Sequence, residues 1–97
     1  LHVRDAARGI VRATAFHQKT EPVNLGTGIE TSIRELAECV ADAAGYTGRI
    51  EWDTSKPDGQ PRRVLDVSRS RSFGFDAGIS LQTGLRETID WYQTRFR

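Results

Sequence analysis

Residues 31–46, TSIRELAECVADAAGY, leave their backbone few choices. Ser32 followed three residues later by Glu35 forms a capping box, in which each side chain can satisfy the other's exposed backbone N–H. Ile33, Leu36, Ala37, Val40 and Ala44 then recur at the spacing of one helix face. Gly45 supplies the left-handed residue on which helices commonly stop. A capped amphipathic helix of three turns must lay its apolar side on something, and the rest of the chain has to provide it.

Two further segments share this period. RDAARGIVRATAFH places Ala6, Ala7, Ile10, Val11 and Ala15 on one face, with Arg4 or Asp5 near the start, where a carboxylate suits the helix dipole. Gly9 either weakens that helix by about 1 kcal/mol relative to Ala or permits a close approach. SLQTGLRETIDWYQTRF opens on Ser80, a good N-cap, and carries Leu81, Leu85, Ile89, Tyr92 and Phe96 as a stripe. SRSRSFGF, residues 68–75, predicts one or two helical turns ended by Gly74. Between these elements Pro22 to Leu25 and Arg49 to Trp52 read as short strands, and RRVLDV, residues 62–67, as a third strand or an extended arm. The expectation is a single domain over residues 1–97 of α/β (α+β) class, with three main helices and two or three short strands. Such short strands are a thin basis for a free-standing sheet, which points to a missing partner.

Charge and cysteine content narrow the function. Fourteen basic side chains against thirteen acidic ones leave a net charge of +1, so binding to nucleic acid or to an anionic membrane is not expected. No apolar run approaches the ~18 residues of a membrane span, and the opening residues His2, Arg4 and Asp5 do not suit a signal peptide. The single cysteine, Cys39, cannot close an internal disulfide, which makes a reducing cytoplasm the default expectation. The chain opens on Leu1, and LHV reads as the tail of a strand already under way, so a piece of a longer protein is expected.

Few residues suggest chemistry. Cys39 lies mid-helix without a neighbouring histidine and suits a structural role. His2 and His17 have no ligand partner at helical spacing, and no metal site is predicted. Asp53, Asp58 and Asp66 are not paired for acid–base work. Trp52, Trp91, Tyr92 and Phe96 suit core or edge packing. The Asn24–Gly28 turn, NLGTG, feeds a helix and could cradle a phosphate, but it lacks the G-x-G-x-x-G spacing, and a tight turn plus cap explains it more simply. The segment WDTSKPDGQPRRVLD sets Arg62 and Arg63 after a turn stiffened by Pro57 and Pro61. Guanidinium forks bind phosphate bidentately, so the pair is either an anion clamp or a solvated loop.

From Asn24 onward the motifs become specific. N-x-G-T-G, S-I-R-E-L-A, G-Y-x-G-x-I-x-W-D-x-S-K-P-D-G-x-P-R and L-D-V-S resemble the C-terminal portion of the GDP-L-fucose synthases. These are extended short-chain dehydrogenases/reductases of the NAD-dependent epimerase/dehydratase group. LHVRDAARGIV resembles a segment this family usually writes HVDDLADA, from which Arg4 departs, and the final helix resembles the family's closing one. The resemblance covers essentially the whole chain. It implies a small lobe that holds a GDP-sugar against a Rossmann domain, and it implies NADPH as the cofactor of the full enzyme. It also implies a diphosphate contact at Arg63, where the family usually has lysine, beside Arg62, which matches the family arginine. The family's cofactor loop, Tyr-x-x-x-Lys pair and catalytic cysteine and histidine lie upstream and have no counterpart here. The implied function is therefore a GDP-sugar-binding lobe that is not catalytic by itself, with no cofactor of its own. Its partner would be the missing N-terminal Rossmann domain or, alternatively, a second copy, if the chain is a stand-alone small binding protein.

Overall fold

A computed structural model describes residues 1–57 and 64–96, and these form four helices. They are α1 (Val3–Phe16), α2 (Ile33–Ala44), α3 (Ser68–Ser72) and α4 (Leu81–Arg95). The cap signals act where the sequence puts them. Ser32 Oγ accepts from the Glu35 N–H at 3.1 Å and Ser80 Oγ from the Thr83 N–H at 3.2 Å. Gly45 ends α2 at φ 71°, and Gly74 turns the chain after α3 at φ 83°. The start of α1 differs from expectation. Its N-cap is His2, whose Nδ1 accepts from the Arg4 N–H at 3.1 Å, so residues 1–3 are the entry to a helix and not the tail of a strand.

The expected α/β class is overturned: the described residues contain helices and no strand. Pro22 to Leu25 and Arg49 to Trp52 make no backbone hydrogen bond to another segment among the described residues, and Val64 to Val67 run irregularly into α3. The physical reason is that a strand exists only by pairing. Composition can supply β-branched and aromatic residues, but a ladder needs a neighbour in hydrogen-bonding register, and among the described residues these segments exchange no backbone hydrogen bonds with another.

The core is small and lies between α1 and the segment that carries α3. Phe75 and Val67 are its buried apolar residues, with Ser70 beneath them donating its hydroxyl to the Val67 carbonyl at 2.9 Å. Phe75 sits against Gly9 of α1, where an added Cβ would lie 3.1 Å from its ring and 3.0 Å from Leu25. Of the two roles open to Gly9, close approach is the one realised. The Arg8 guanidinium covers the other side of Phe75, 4.8 Å from the ring centroid. Arg12 reaches the Phe73 carbonyl at 2.9 Å, and Arg69 bonds the Pro22 carbonyl at 2.8 Å and pairs with Glu21 at 3.1 Å.

This packing reverses α1. Of the face predicted to be internal only Ala6 is half-buried; Ala7 and Ala15 are exposed, Ile10 is 59% and Val11 70% exposed, and Asp5, Gly9 and Ala13 face inward. The aromatic residues expected in the core or at its edge are also exposed. Trp91, Tyr92 and Phe96 cluster on one another at the end of α4, and Trp52 lies under the Arg34 guanidinium. α4 lies against α2 through its half-buried Leu81, Leu85 and Ile89. The result is a flat body of 49 × 35 × 18 Å with a radius of gyration of 16.4 Å, where a compact chain of this length has about 13 Å. Its accessible surface is 8006 Å², about 2,500 Å² more than the ~5,500 Å² of a compact domain of this mass.

Candidate functional site

Where the first loop, the 64–65 segment and the start of α4 converge, they enclose a cleft of about 410 Å³. Leu25 to Ile29 form one wall, Val64 and Leu65 another, and Leu81, Gly84, Leu85 and Thr88 the third. The walls are mainly apolar, with the hydroxyls of Thr27, Thr31, Ser80 and Thr88 and the His2 ring among them.

The walls owe their placement to glycines and to one buried carboxylate. Gly26 and Gly28 lie against the 65–67 segment: an added Cβ would stand 3.3 Å from Leu65 and 3.0 Å from Val67, and Gly28 holds φ 72°. The Asn24 amide donates to the Asp66 carbonyl at 3.3 Å and fastens the same two segments. The glycines of NLGTG thus serve packing. Their open side is covered by Leu65, Val67 and Arg71, so the loop does not fit a dinucleotide pyrophosphate.

Asp5 sets the third wall. It is 2% exposed, and it accepts from the Ile79 N–H at 2.9 Å, from the Gly78 N–H at 3.2 Å and from Arg8 at 3.1 Å. The Ile79 amide, then the Gly78 amide and Arg8, hold its carboxyl below the usual value of 3.8, against the opposing effect of burial. The bonds fix the turn that leads into α4. His2 and Arg4 reinforce the junction: both reach Glu87 of α4, His2 at 3.5 Å, and the His2 ring packs on Gly84. Arg4 therefore acts as an ion-pair partner between helices.

The other motif residues shape turns. Asp53 accepts from the Ser55 hydroxyl and from its N–H at 3.0 Å, and both bonds lower its pKa. Asp66 accepts from the Ser68 N–H at 2.9 Å and opens α3, a bond that likewise lowers its pKa. Tyr46 folds back over Gly48 and donates to the Arg49 carbonyl at 3.0 Å, which accounts for the spacing G-Y-x-G. Cys39 is half-buried and unpaired, and His17 packs on Phe73 with Nε2 2.9 Å from the Glu21 carbonyl. Among the described residues no group of three or more His, Cys, Asp or Glu is placed to hold a metal ion, and no helix is long and apolar enough to cross a membrane.

Arg62 and Arg63 lie outside the described residues, as does Asp58. The cleft wall begins at Val64, the next residue in sequence. Sequence reasoning missed the cleft and the role of Asp5. The one available signal was an aspartate four residues before a glycine in the first helix, the spacing at which both occupy one face.

Comparison with known proteins bears on the whole chain. No protein-family model matches it. It is 45% identical over 92 residues to the Putative GDP-L-fucose synthase 2 of Arabidopsis thaliana, covering 95% of this chain and 28% of that protein. It is 41% identical to the GDP-L-fucose synthase of Escherichia coli K12, covering all of this chain and 34% of that protein. A Putative UDP-glucose 4-epimerase of Methanocaldococcus jannaschii is 30% identical over 97 residues, covering 31% of its length. The chain thus spans about a third or less of the curated relatives it matches, and in the fucose synthases the matching part is the C-terminal one.

Proposed function

Because the sequence corresponds to the C-terminal part of GDP-L-fucose synthases, we propose that the chain is the nucleotide-sugar-binding lobe of an epimerase/reductase of that kind. Arg62 and Arg63 clamp the diphosphate of a GDP-sugar, and the adjoining cleft receives a less polar part of the ligand. The observation that carries this is positional: the arginine pair runs directly into Val64 and Leu65, which line a cleft whose volume lies within the usual 300–1,000 Å³ of a ligand site. Guanidinium groups recognise a diphosphate through charged, bidentate hydrogen bonds. The lobe is not catalytic by itself. Its Gly26–Gly28 loop, closed over by Leu65 and Val67, offers no cradle for a cofactor pyrophosphate.

The test is calorimetric titration with GDP, with GMP as the single-phosphate control. GDP binds more tightly than GMP, and Arg63→Glu weakens GDP binding by about tenfold or more, the loss of a charged hydrogen bond worth ~1.5–3 kcal/mol. Equal affinity of the parent and Arg63→Glu for GDP would refute the clamp. A second reading is that the chain, with its excess of exposed surface, acts as a small binding protein on its own. It requires that surface to be covered in solution.

A further inference from the structure

We propose that Asn24 and Gly26 are positioning residues for ligand binding: they hold residues 64–66, the arm that directly follows the arginine pair, in one place against the first loop. This rests on the diphosphate-clamp reading of Arg62 and Arg63 and adds to it the residues that steady the chain beside them.

The arm has one firm end. Val67 is 5% exposed, and the buried Ser70 donates its hydroxyl to the Val67 carbonyl at 2.9 Å. Asp66 accepts from the Ser68 N–H at 2.9 Å, which joins the arm to α3. Toward the arginines the burial ends, and Leu65 is 50% exposed. Residues 64–66 separate Arg63 from Val67 in sequence, and three extended residues span up to about 10 Å. Fastened at Val67 alone, such a stretch would sample many positions, and a ligand would have to order it on binding.

The first loop supplies the second hold. The Asn24 amide donates to the Asp66 carbonyl at 3.3 Å. Leu65 lies over Gly26, where an added Cβ would stand 3.3 Å from its Cδ1 and 3.7 Å from its Cβ. The loop is itself fixed further back, where Arg69 of α3 bonds the Pro22 carbonyl at 2.8 Å and pairs with Glu21 at 3.1 Å. The contacts run antiparallel, 22 with 69, 24 with 66 and 26 with 65, so the two segments are laced along their length. No backbone hydrogen bond joins them among the described residues. The lacing therefore consists of separate side-chain contacts, and one can be cut while the others hold. Arg69 and Val67 secure the body of the fold. Asn24 and Gly26 act on the stretch that leads to the arginines, and a stretch ordered in advance costs a ligand less to bind.

Calorimetric titration of the chain with GDP tests this, using Asn24→Ala and Gly26→Val alone and each combined with Arg63→Ala. Asn24→Ala weakens GDP binding about threefold, the loss of one exposed neutral hydrogen bond, and its far-ultraviolet circular dichroism matches the parent. Gly26→Val pushes Leu65 off the loop and weakens binding about tenfold; if it unfolds the chain, Asn24→Ala decides alone. The deciding readout is the coupling to Arg63. In the Arg63→Ala background at least half of each loss disappears, because the group being positioned is gone. A general loosening of the fold would cost the same in both backgrounds. If Arg63→Ala weakens binding but Asn24→Ala binds GDP as the parent does, or costs the same with and without Arg63, the positioning role is overturned and the clamp stands. If Arg63→Ala binds GDP as the parent does, both are overturned.

Discussion

Replacing Asp5 by asparagine keeps the shape of the side chain and removes its charge, and the cost can be worked from the three bonds it makes. One carboxylate oxygen accepts from Gly78 N–H and Arg8, and the other from Ile79 N–H. Asparagine has one acceptor oxygen. If that oxygen stays on the half-buried Ile79, the amide NH₂ is driven against the Gly78 N–H and the Arg8 guanidinium, and the opposite rotamer sets it against Ile79. Gly78 and Arg8 can turn to water, so the first arrangement is the cheaper. It still loses two charge-assisted bonds and weakens the third. At ~1.5–3 kcal/mol per charged bond, partly recovered from solvent, the loss is about 3 kcal/mol. For a chain of this size, with a stability of roughly 5–15 kcal/mol and a core this thin, that is a large share, equivalent to about 12–24 °C in Tm. Urea and thermal unfolding followed by circular dichroism measure it directly. The pH dependence adds a second readout. Because the folded-state pKa of Asp5 is below 3.8, its contribution is complete at pH 7 and is lost as pH falls through that folded value, below about pH 4. The gap between parent and Asp5→Asn therefore narrows toward pH 2. Asp53 and Asp66, lowered in the same direction, are present in both proteins and leave the difference untouched. A variant within about 0.5 kcal/mol of the parent at pH 7, or a gap that does not change with pH, would refute the account of Asp5 as the anchor of the α4 turn.

Three further outcomes follow from the packing. Phe75→Ala empties the centre of the core and costs about 3–5 kcal/mol, read as a large fall in the midpoint of a denaturant titration at 25 °C. Gly9→Ala gains roughly 1 kcal/mol of helix propensity but forces a methyl against Leu25 and Phe75, so the net is a destabilisation of about 1 kcal/mol, and a rise in Tm would refute the close-approach role. Ser32→Ala removes the acceptor for the Glu35 N–H and costs about 1 kcal/mol, seen as faster amide exchange in the first turn of α2.

The helices were legible because their signals are local. Ser32, Gly45, Ser80 and Gly74 each act within a few residues of where they stand, and a cap or a left-handed turn needs no distant partner. The strands were misjudged for the opposite reason. Residues 49–52 have the right composition and alternate as a strand does, but among the described residues no neighbour pairs with them. The motif carboxylates Asp53 and Asp66, recognisable as sequence landmarks, gained a role only when their bonds to Ser55 and Ser68 placed them in turns.

By itself the sequence determined where the backbone must coil and turn, the near-neutral charge and the correspondence to the C-terminal part of GDP-L-fucose synthases. Only the tertiary structure decided which side of each helix faces inward. Periodicity in α1 marks an apolar stripe through Ile10 and Val11, yet the helix buries Asp5 and Gly9 instead. A carboxylate that captures two backbone amides, and a glycine that admits Phe75, hold the helix by bonds and fit to residues some seventy positions away. No local pattern encodes a partner at that distance, and the apolar stripe left outside is surface that the chain alone does not cover.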